Sequence, residues 1–194
     1  MKKLTALTIV LILAFSIASF GITNASVEKG AKISFGGYDW IVLDVVDDKA
    51  LVLSDKVIDK RNYHSSDVPI AWENSEIRRY LNGEFYENTF SAKEKRKIIK
   101  TEIVNKDSNR TKDKVFLLSF EEAVRYFNGD SKRIAFELYP GSRWQWWLRS
   151  HGDYSKDATD RSAMSVANDG RIVLTGMPVG TKTIGVRPAL WMKM

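Results

Sequence analysis

Apolar and polar positions change rhythm along the chain, strand-like at first, helical in the middle and strand-like again at the end. Residues 33–54, ISFGGYDWIVLDVVDDKALVLS, place two runs rich in Val, Ile and Leu on either side of Asp47-Asp48, which predicts a β-hairpin. The stretch from Asp55 to Trp72 is polar, carries Pro69 and reads mainly as loop. Beyond Asn74, Ile77, Tyr80 and Leu81 fall at i, i+3, i+4 spacing and predict a helix that Gly83 stops. An aromatic segment with Phe85, Tyr86 and Phe90 follows.

Ser91-Ala-Lys-Glu94 has the capping-box order, in which serine and glutamate each satisfy an orphan backbone donor, and predicts a basic helix running through Ile99. The same device at Ser119-Phe-Glu-Glu122 heads a second helix, with Ala123, Tyr126 and Phe127 on its buried side. Between them, Val104 to Asp113 is polar and predicts a loop, and Val115 to Leu118 a short apolar strand. In the last third, Trp146-Trp-Leu148 precedes a polar loop from Ser150 to Asp160. Two further runs flank Asn168-Asp-Gly170, a strong hairpin turn because these residues tolerate positive φ. Ile184 to Met192 reads as a last strand, made irregular by Pro188. Strands, then helices, then strands predict an α+β domain whose two ends share a sheet.

The N-terminus follows a different plan. Lys2 and Lys3 precede an uncharged run from Leu4 to Ile22, and Thr23-Asn-Ala25 supplies small residues for a cut. This is the order of a signal peptide. Cleavage after Ala25 leaves residues 26–194 as one secreted or extracytoplasmic domain; retention leaves residues 4–22 as a membrane anchor, since the run approaches the roughly 20 residues of a spanning helix.

The chain has no cysteine, which removes disulfides, thiolate metal sites, thiol nucleophiles and a lipidated cysteine. Its net charge of +6 falls to +4 without Lys2 and Lys3. The basic residues are dispersed except for Lys93, Lys95, Arg96, Lys97 and Lys100. That stretch reads first as a solvated helix face, with contact to an anionic cell-wall polymer as the alternative, and export argues against nucleic acid.

Several phrases in order carry a family resemblance: Phe35-Gly-Gly-Tyr-Asp-Trp-Ile-Val-Leu43, Ile77-Arg-Arg-Tyr-Leu-Asn82, Asp113-Lys-Val-Phe-Leu-Leu-Ser119, Trp146-Trp-Leu-Arg-Ser150 and Gly185-Val-Arg-Pro-Ala-Leu-Trp191. Together they resemble the bacterial domain-of-unknown-function family 6273, common in Gram-positive organisms. That family is similar to the C-type-lectin-like fold shared with formylglycine-generating enzymes. The resemblance implies a twisted antiparallel sheet with paired N- and C-terminal strands, flanking helices and a long C-terminal loop region. It also implies chemistries that this chain can be tested against. The Glu-Pro-Asn, Gln-Pro-Asp and Trp-Asn-Asp tripeptides of calcium-dependent lectins do not occur, and Trp72-Glu-Asn74 is only a near miss. The copper-holding cysteines of formylglycine-generating enzymes are missing too, and only His64 and His151 could serve an iron site.

Outside the resemblance, Gly176-Met-Pro-Val-Gly180-Thr-Lys-Thr183 has the wrong spacing for a phosphate-binding loop, and no nucleophile-elbow or zinc-protease motif occurs. The most unusual local feature is Trp144, Trp146 and Trp147 between Arg143 and Arg149. Indole faces stack on sugar rings or peptide side chains, and adjacent guanidinium groups add charged hydrogen bonds. Trp146 and Trp147 should point to opposite sides of a strand, so at least one faces the core. Arg149 and Arg187 face a ligand or, on the plainer reading, pair with carboxylates to hold loops. The loop from His151 to Asp160 offers Asp153, Asp157 and Asp160, whose spacing fits no EF-hand.

These features favour a non-catalytic recognition domain for a glycan, peptide or cell-envelope protein, with a ligand surface of Trp144, Trp146, Arg149, His151, Asp153 and Arg187 and with no metal or cofactor. The alternatives are a carboxylate- or metal-dependent enzyme of the formylglycine-generating type and a structural envelope module.

Overall fold

The computed structural model describes residues 27–105, 110–139, 141–152 and 161–194. The signal segment, the cut site at Ala25 and the loop acids Asp153, Asp157 and Asp160 lie outside the described residues. No helix among the described residues is long and apolar enough to cross a membrane.

The described chain is α+β and rich in sheet. Strands β1 (Lys32–Phe35), β2 (Tyr38–Val46) and β3 (Lys49–Ser54) form an antiparallel meander, followed by the short β4 (Asp59–Lys60). The turn expected at Asp47-Asp48 joins β2 to β3, with Asp47 at φ 54°. A second tight turn, at Gly36-Gly37, joins β1 to β2. Gly36 has φ +59°, and a Cβ there would come within 2.5 Å of the Phe90 ring, so only glycine fits.

Helix α1 (Glu76–Tyr80) is capped by Ser75, whose hydroxyl accepts from the Arg78 amide. Gly83 does not stop the helical path. The chain widens into a π turn over Leu81–Phe85 and continues as α2 (Tyr86–Thr89). Asn82 explains the continuity: its amide donates to Arg78 O and Val115 O while its carbonyl accepts from the Lys114 and Val115 amides, splinting the turn to a neighbouring segment.

The Ser91 capping box is present, but α3 (Ala92–Lys95) is a single turn rather than a helix through Ile99. Ile98 and Ile99 form β5 and pair with Met192 and Trp191 at a sheet edge, where strand pairing buries them better than a free-standing helix would. Of the stretch from Val104 to Asp113 expected to loop out, Arg110–Asp113 instead forms β7 and pairs with β6 (Thr101–Val104), with Thr111 and Asp113 turned inward. Val115 to Leu118 is buried throughout but runs as irregular chain bridged once, Phe116 to Ala189.

Helix α4 (Phe120–Tyr126) has the expected capping box, and α5 (Asp130–Arg133) follows. The hairpin β8 (Ala135–Phe136) and β9 (Arg143–Trp144) then leads into β10 (Trp146–His151). The strands β11 (Ser162–Val166) and β12 (Ile172–Pro178) meet across Asn168-Asp-Gly170 as predicted.

The expected last strand divides into β13 (Gly185–Val186) and β14 (Ala189–Lys193), which belong to different sheets. One five-stranded sheet runs β1-β2-β3-β14-β5 and the other β12-β11-β10-β13-β4. The chain's two ends therefore share a sheet, although β14 pairs with β3 and β5 rather than with β1. Arg187 and Pro188 form the step between sheets. The Arg187 side chain is 2% exposed; its Nε donates to Ser54 O at 2.9 Å and an Nη to Asp55 O at 3.3 Å. At Gly185 a Cβ would lie 2.5 Å from Val57 and 2.8 Å from Gln145 O, a close backbone approach that excludes side chains.

Trp146 and Trp147 are both fully buried, because β10 carries core on both faces, and their indole N–H groups donate to Arg133 O and Arg61 O. A second buried polar network holds Asp113: it accepts from Trp72 Nε1 at 2.9 Å, Thr111 Oγ1 at 2.7 Å and Arg78 Nε at 2.8 Å.

Replacing Asp113 by Ala leaves the Arg78 guanidinium and the Trp72 N–H without their acceptor. The expected loss is about 3 kcal/mol of unfolding free energy, read from urea denaturation, with Asp113→Asn losing less.

Candidate functional site

The expected surface residues separate into distinct places. Trp146 and Arg187 are in contact, with the guanidinium carbon 5.0 Å from the indole centroid, but both are inside the core and form no ligand surface. Burial depresses the Arg187 pKa to about 10, an effect that Asp55 partly offsets, so the side chain stays cationic at neutral pH. Its Nε and Nη2 bond to backbone carbonyls rather than to carboxylates, and its buried Nη1 has no hydrogen-bond partner among the described residues.

Arg149 is 5% exposed and fully engaged: Nη1 and Nη2 grip Glu122 at 2.5 and 3.1 Å, Nη1 also reaches Leu117 O, and Nε reaches Asn105. It holds α4 against β10, as the plainer reading of that side chain expects. Half-buried His151 shares a small hollow with Arg149, Trp72, Asn105 and Glu121. Asp153 lies outside the described residues. Among the described residues no group of three or more His, Cys, Asp or Glu is placed to hold a metal ion.

Trp144 alone of the three clustered tryptophans reaches the surface. Its Nε1 donates to Thr183 O at 2.8 Å, which anchors the ring edge, and Lys60 Nζ sits 3.4 Å over the ring centre. Lys60 is tied in turn to Glu137 at 2.5 Å. From here a groove follows the segment 55–60. Three hollows of about 220, 280 and 480 Å³ adjoin through shared walls, Ile58 and Leu138 between the first two and Gly37 and Tyr38 between the last two.

At the Trp144 end the wall is the β8–β9 hairpin, whose Tyr139 is 88% exposed. At the far end Tyr38, Tyr80 and Phe85 pack together, with ring centroids 6.0 to 6.2 Å apart. Arg61 stacks 3.4 Å from the centre of the Tyr80 ring and bonds Asp59 at 3.0 Å. Burial, reinforced by the Asp59 carboxylate, pushes the Tyr80 hydroxyl well above its ordinary pKa and keeps it a neutral donor. In the middle, Lys32 pairs with Asp55 at 2.8 Å and the Ser34 hydroxyl donates to Asp39 at 2.7 Å. The groove thus sets aromatic rings beside three ion pairs, with Lys56 and Glu84 also in its lining.

The turn forming its far wall is fixed from behind. Glu94 closes the capping box on Ser91 and also accepts from the Gly36 amide at 2.8 Å. These bonds, the Ser91 hydroxyl first, hold the Glu94 carboxyl below the ordinary 4.5.

Sequence reasoning reached Trp144 but missed Tyr38, Asp55, Lys60, Tyr80, Glu137 and Tyr139, which come from segments remote in the chain. One local sign was available: Tyr139-Pro-Gly141 is a turn signal directly before the tryptophan cluster.

A family model described as Domain of unknown function (DUF6273) matches residues 47–194, and the chain belongs to that family. No match was found among curated proteins or among solved structures.

Two outcomes follow from these placements. Trp146→Ala should cost about 4 kcal/mol in thermal or urea unfolding, as expected for an enclosed indole, whereas Trp144→Ala should cost under about 1.5 kcal/mol. Because the folded pKa of Glu94 is depressed, its stabilisation is complete above pH 4.5 and disappears as pH falls through the lowered value. Glu94→Gln should therefore lower the urea midpoint at pH 7 and flatten its decline between about pH 5 and pH 3.

Proposed function

We propose that this member of the DUF6273 family is an exported, non-catalytic recognition domain on a C-type-lectin-like scaffold, and that the groove along residues 55–60 binds a neutral, hydroxyl-rich chain of the glycan type. The leader-like order of residues 1–25 supports export: two lysines, an apolar run and a small-residue cut site. The α+β architecture and the sharing of one sheet by both ends of the domain support the scaffold.

One observation carries the choice of ligand class. Three ion pairs, Lys32 with Asp55, Lys60 with Glu137 and Arg61 with Asp59, lie along the groove between the rings of Tyr38, Tyr80 and Tyr139, with Trp144 against Lys60 at one end; Lys56 and Glu84 also line it and form no ion pair among the described residues. Such pairs are fixed donors and acceptors with little net charge. A polyol can add hydrogen bonds to their open lone pairs and N–H groups without breaking them, while its apolar ring faces stack on the aromatics. An ionic ligand would instead have to compete with partners already in place, which disfavours it. The scarcity of net charge also suits slow, contact-driven association rather than long-range steering.

Glycan, peptidoglycan and peptide arrays probed with the purified protein test this reading. Neutral oligosaccharides should bind, and Trp144→Ala and Tyr139→Ala should each weaken the best of them on the order of tenfold, about 1.4 kcal/mol. Binding confined to charged peptides, or neutral-glycan binding that both variants leave untouched, would refute it.

A further inference from the structure

A row of cations lies on the outward face of the β6–β7 ribbon and continues onto α3. Along β7, Thr111 and Asp113 point inward, so Arg110, Lys112 and the following Lys114 share the outer face at every second residue. That spacing is about 6.6 Å per charge. The ladder ends at Thr101 opposite Asp113, and the exposed Lys100 and half-buried Lys114 are the next residues along its two strands. The exposed Lys93, Arg96 and Lys97 extend the row from the adjacent turn.

The carboxylates nearby are already engaged, Glu102 on this same outer face, opposite Lys112 and paired with Arg110. Glu94 closes its capping box and holds Gly36, and Glu87 pairs with Lys95 at 2.5 Å. Among the described residues Lys93, Arg96, Lys97, Lys100 and Lys112 form no ion pair. Lys114 lies 3.8 Å over the Tyr86 ring, with Lys95 5.2 Å from the same ring, so two ammonium groups are held near a single buried aromatic.

We propose that this face is a second binding site, independent of the groove, for a linear phosphodiester polymer without bases. Charges repeated along a strand at about 6.6 Å suit an anion repeated along a flexible chain, and a bound chain relieves the repulsion between Lys95 and Lys114 over the Tyr86 ring. Nucleic acid is the weaker candidate within the same chemistry. Its single strands gain from stacking on open aromatic faces, and the one ring in the row, Tyr86, is 5% exposed and covered by lysines.

Titration of the full chain with poly(glycerol phosphate), with a single-stranded oligonucleotide of equal charge and with anionic lipid vesicles decides the matter. The polymer should bind at about 50 mM salt, with log K falling against log salt at a slope near −4 for six contacts. Lys100→Gln with Lys112→Gln should reduce that slope by about 1.4 and weaken binding roughly tenfold at low salt. Removing the same charge at the exposed, distant Lys132 and Lys182 should leave the slope unchanged. The assignment is overturned by no polymer binding at low salt, by equal effects of the two double variants, or by tighter binding of the oligonucleotide or the vesicles.

Discussion

One ten-residue segment, from Ile184 to Lys193, serves both sheets, and the rest of the architecture depends on how it changes allegiance at Arg187-Pro188. Val186 accepts from the Ile58 amide in one sheet; Pro188 accepts from the Ser54 amide in the other. Proline suits the step because it has no N–H to leave unpaired and disfavours a continuous ladder. Arg187 then supplies donors to Ser54 O and Asp55 O just where β3 gives way to the groove segment. Two aromatic faces enclose the guanidinium, Trp146 at 5.0 Å and Phe127 at 5.7 Å from its carbon. Burying that charge is costly, and it persists because carbonyl oxygens and ring faces replace part of its water.

The groove inherits its shape from this step. Residues 55–60 leave the first sheet at Ser54 and join the second at Asp59, so one strip of backbone crosses the junction and exposes side chains from both layers. Its walls come from the Gly36-Gly37 turn, the π turn at Leu81–Phe85 and the β8–β9 hairpin. Each wall has its own anchor: Glu94 on Gly36, Asn82 on the π turn, and the bond from the Trp144 indole to Thr183 on the hairpin. These anchors make the groove a feature of the rigid frame.

Local chemistry in the sequence was a good guide wherever a short motif determines its own geometry. The Asp47-Asp48 and Asn168-Asp-Gly170 hairpins and both serine capping boxes form where expected. Distant partners decide the rest. Ile98 and Ile99 leave the helical path because β14 offers an edge, Gly83 is carried through by the Asn82 side chain, and Arg110–Asp113 pairs with Thr101–Val104 because the inner face of that ribbon packs. Trp146 and Trp147 both became core because the one-wet-face rule does not apply to a strand covered on both sides. The same limit hid the groove, whose rings and ion pairs are assembled from residues up to about a hundred positions apart, while the tryptophan cluster that drew attention contributes only Trp144.

The shared strand also governs when the molecule can fold. Until Ile184 to Lys193 has been synthesised, β3 has β2 on one side but not β14 on the other, and β10 lacks its link to β4 in the second sheet. A nascent chain therefore has hairpins to form but no closed core, and the contacts that unite them span most of its length. Closure of the core should be a single late event that waits for β14, leaving a long interval in which the polypeptide is still extended.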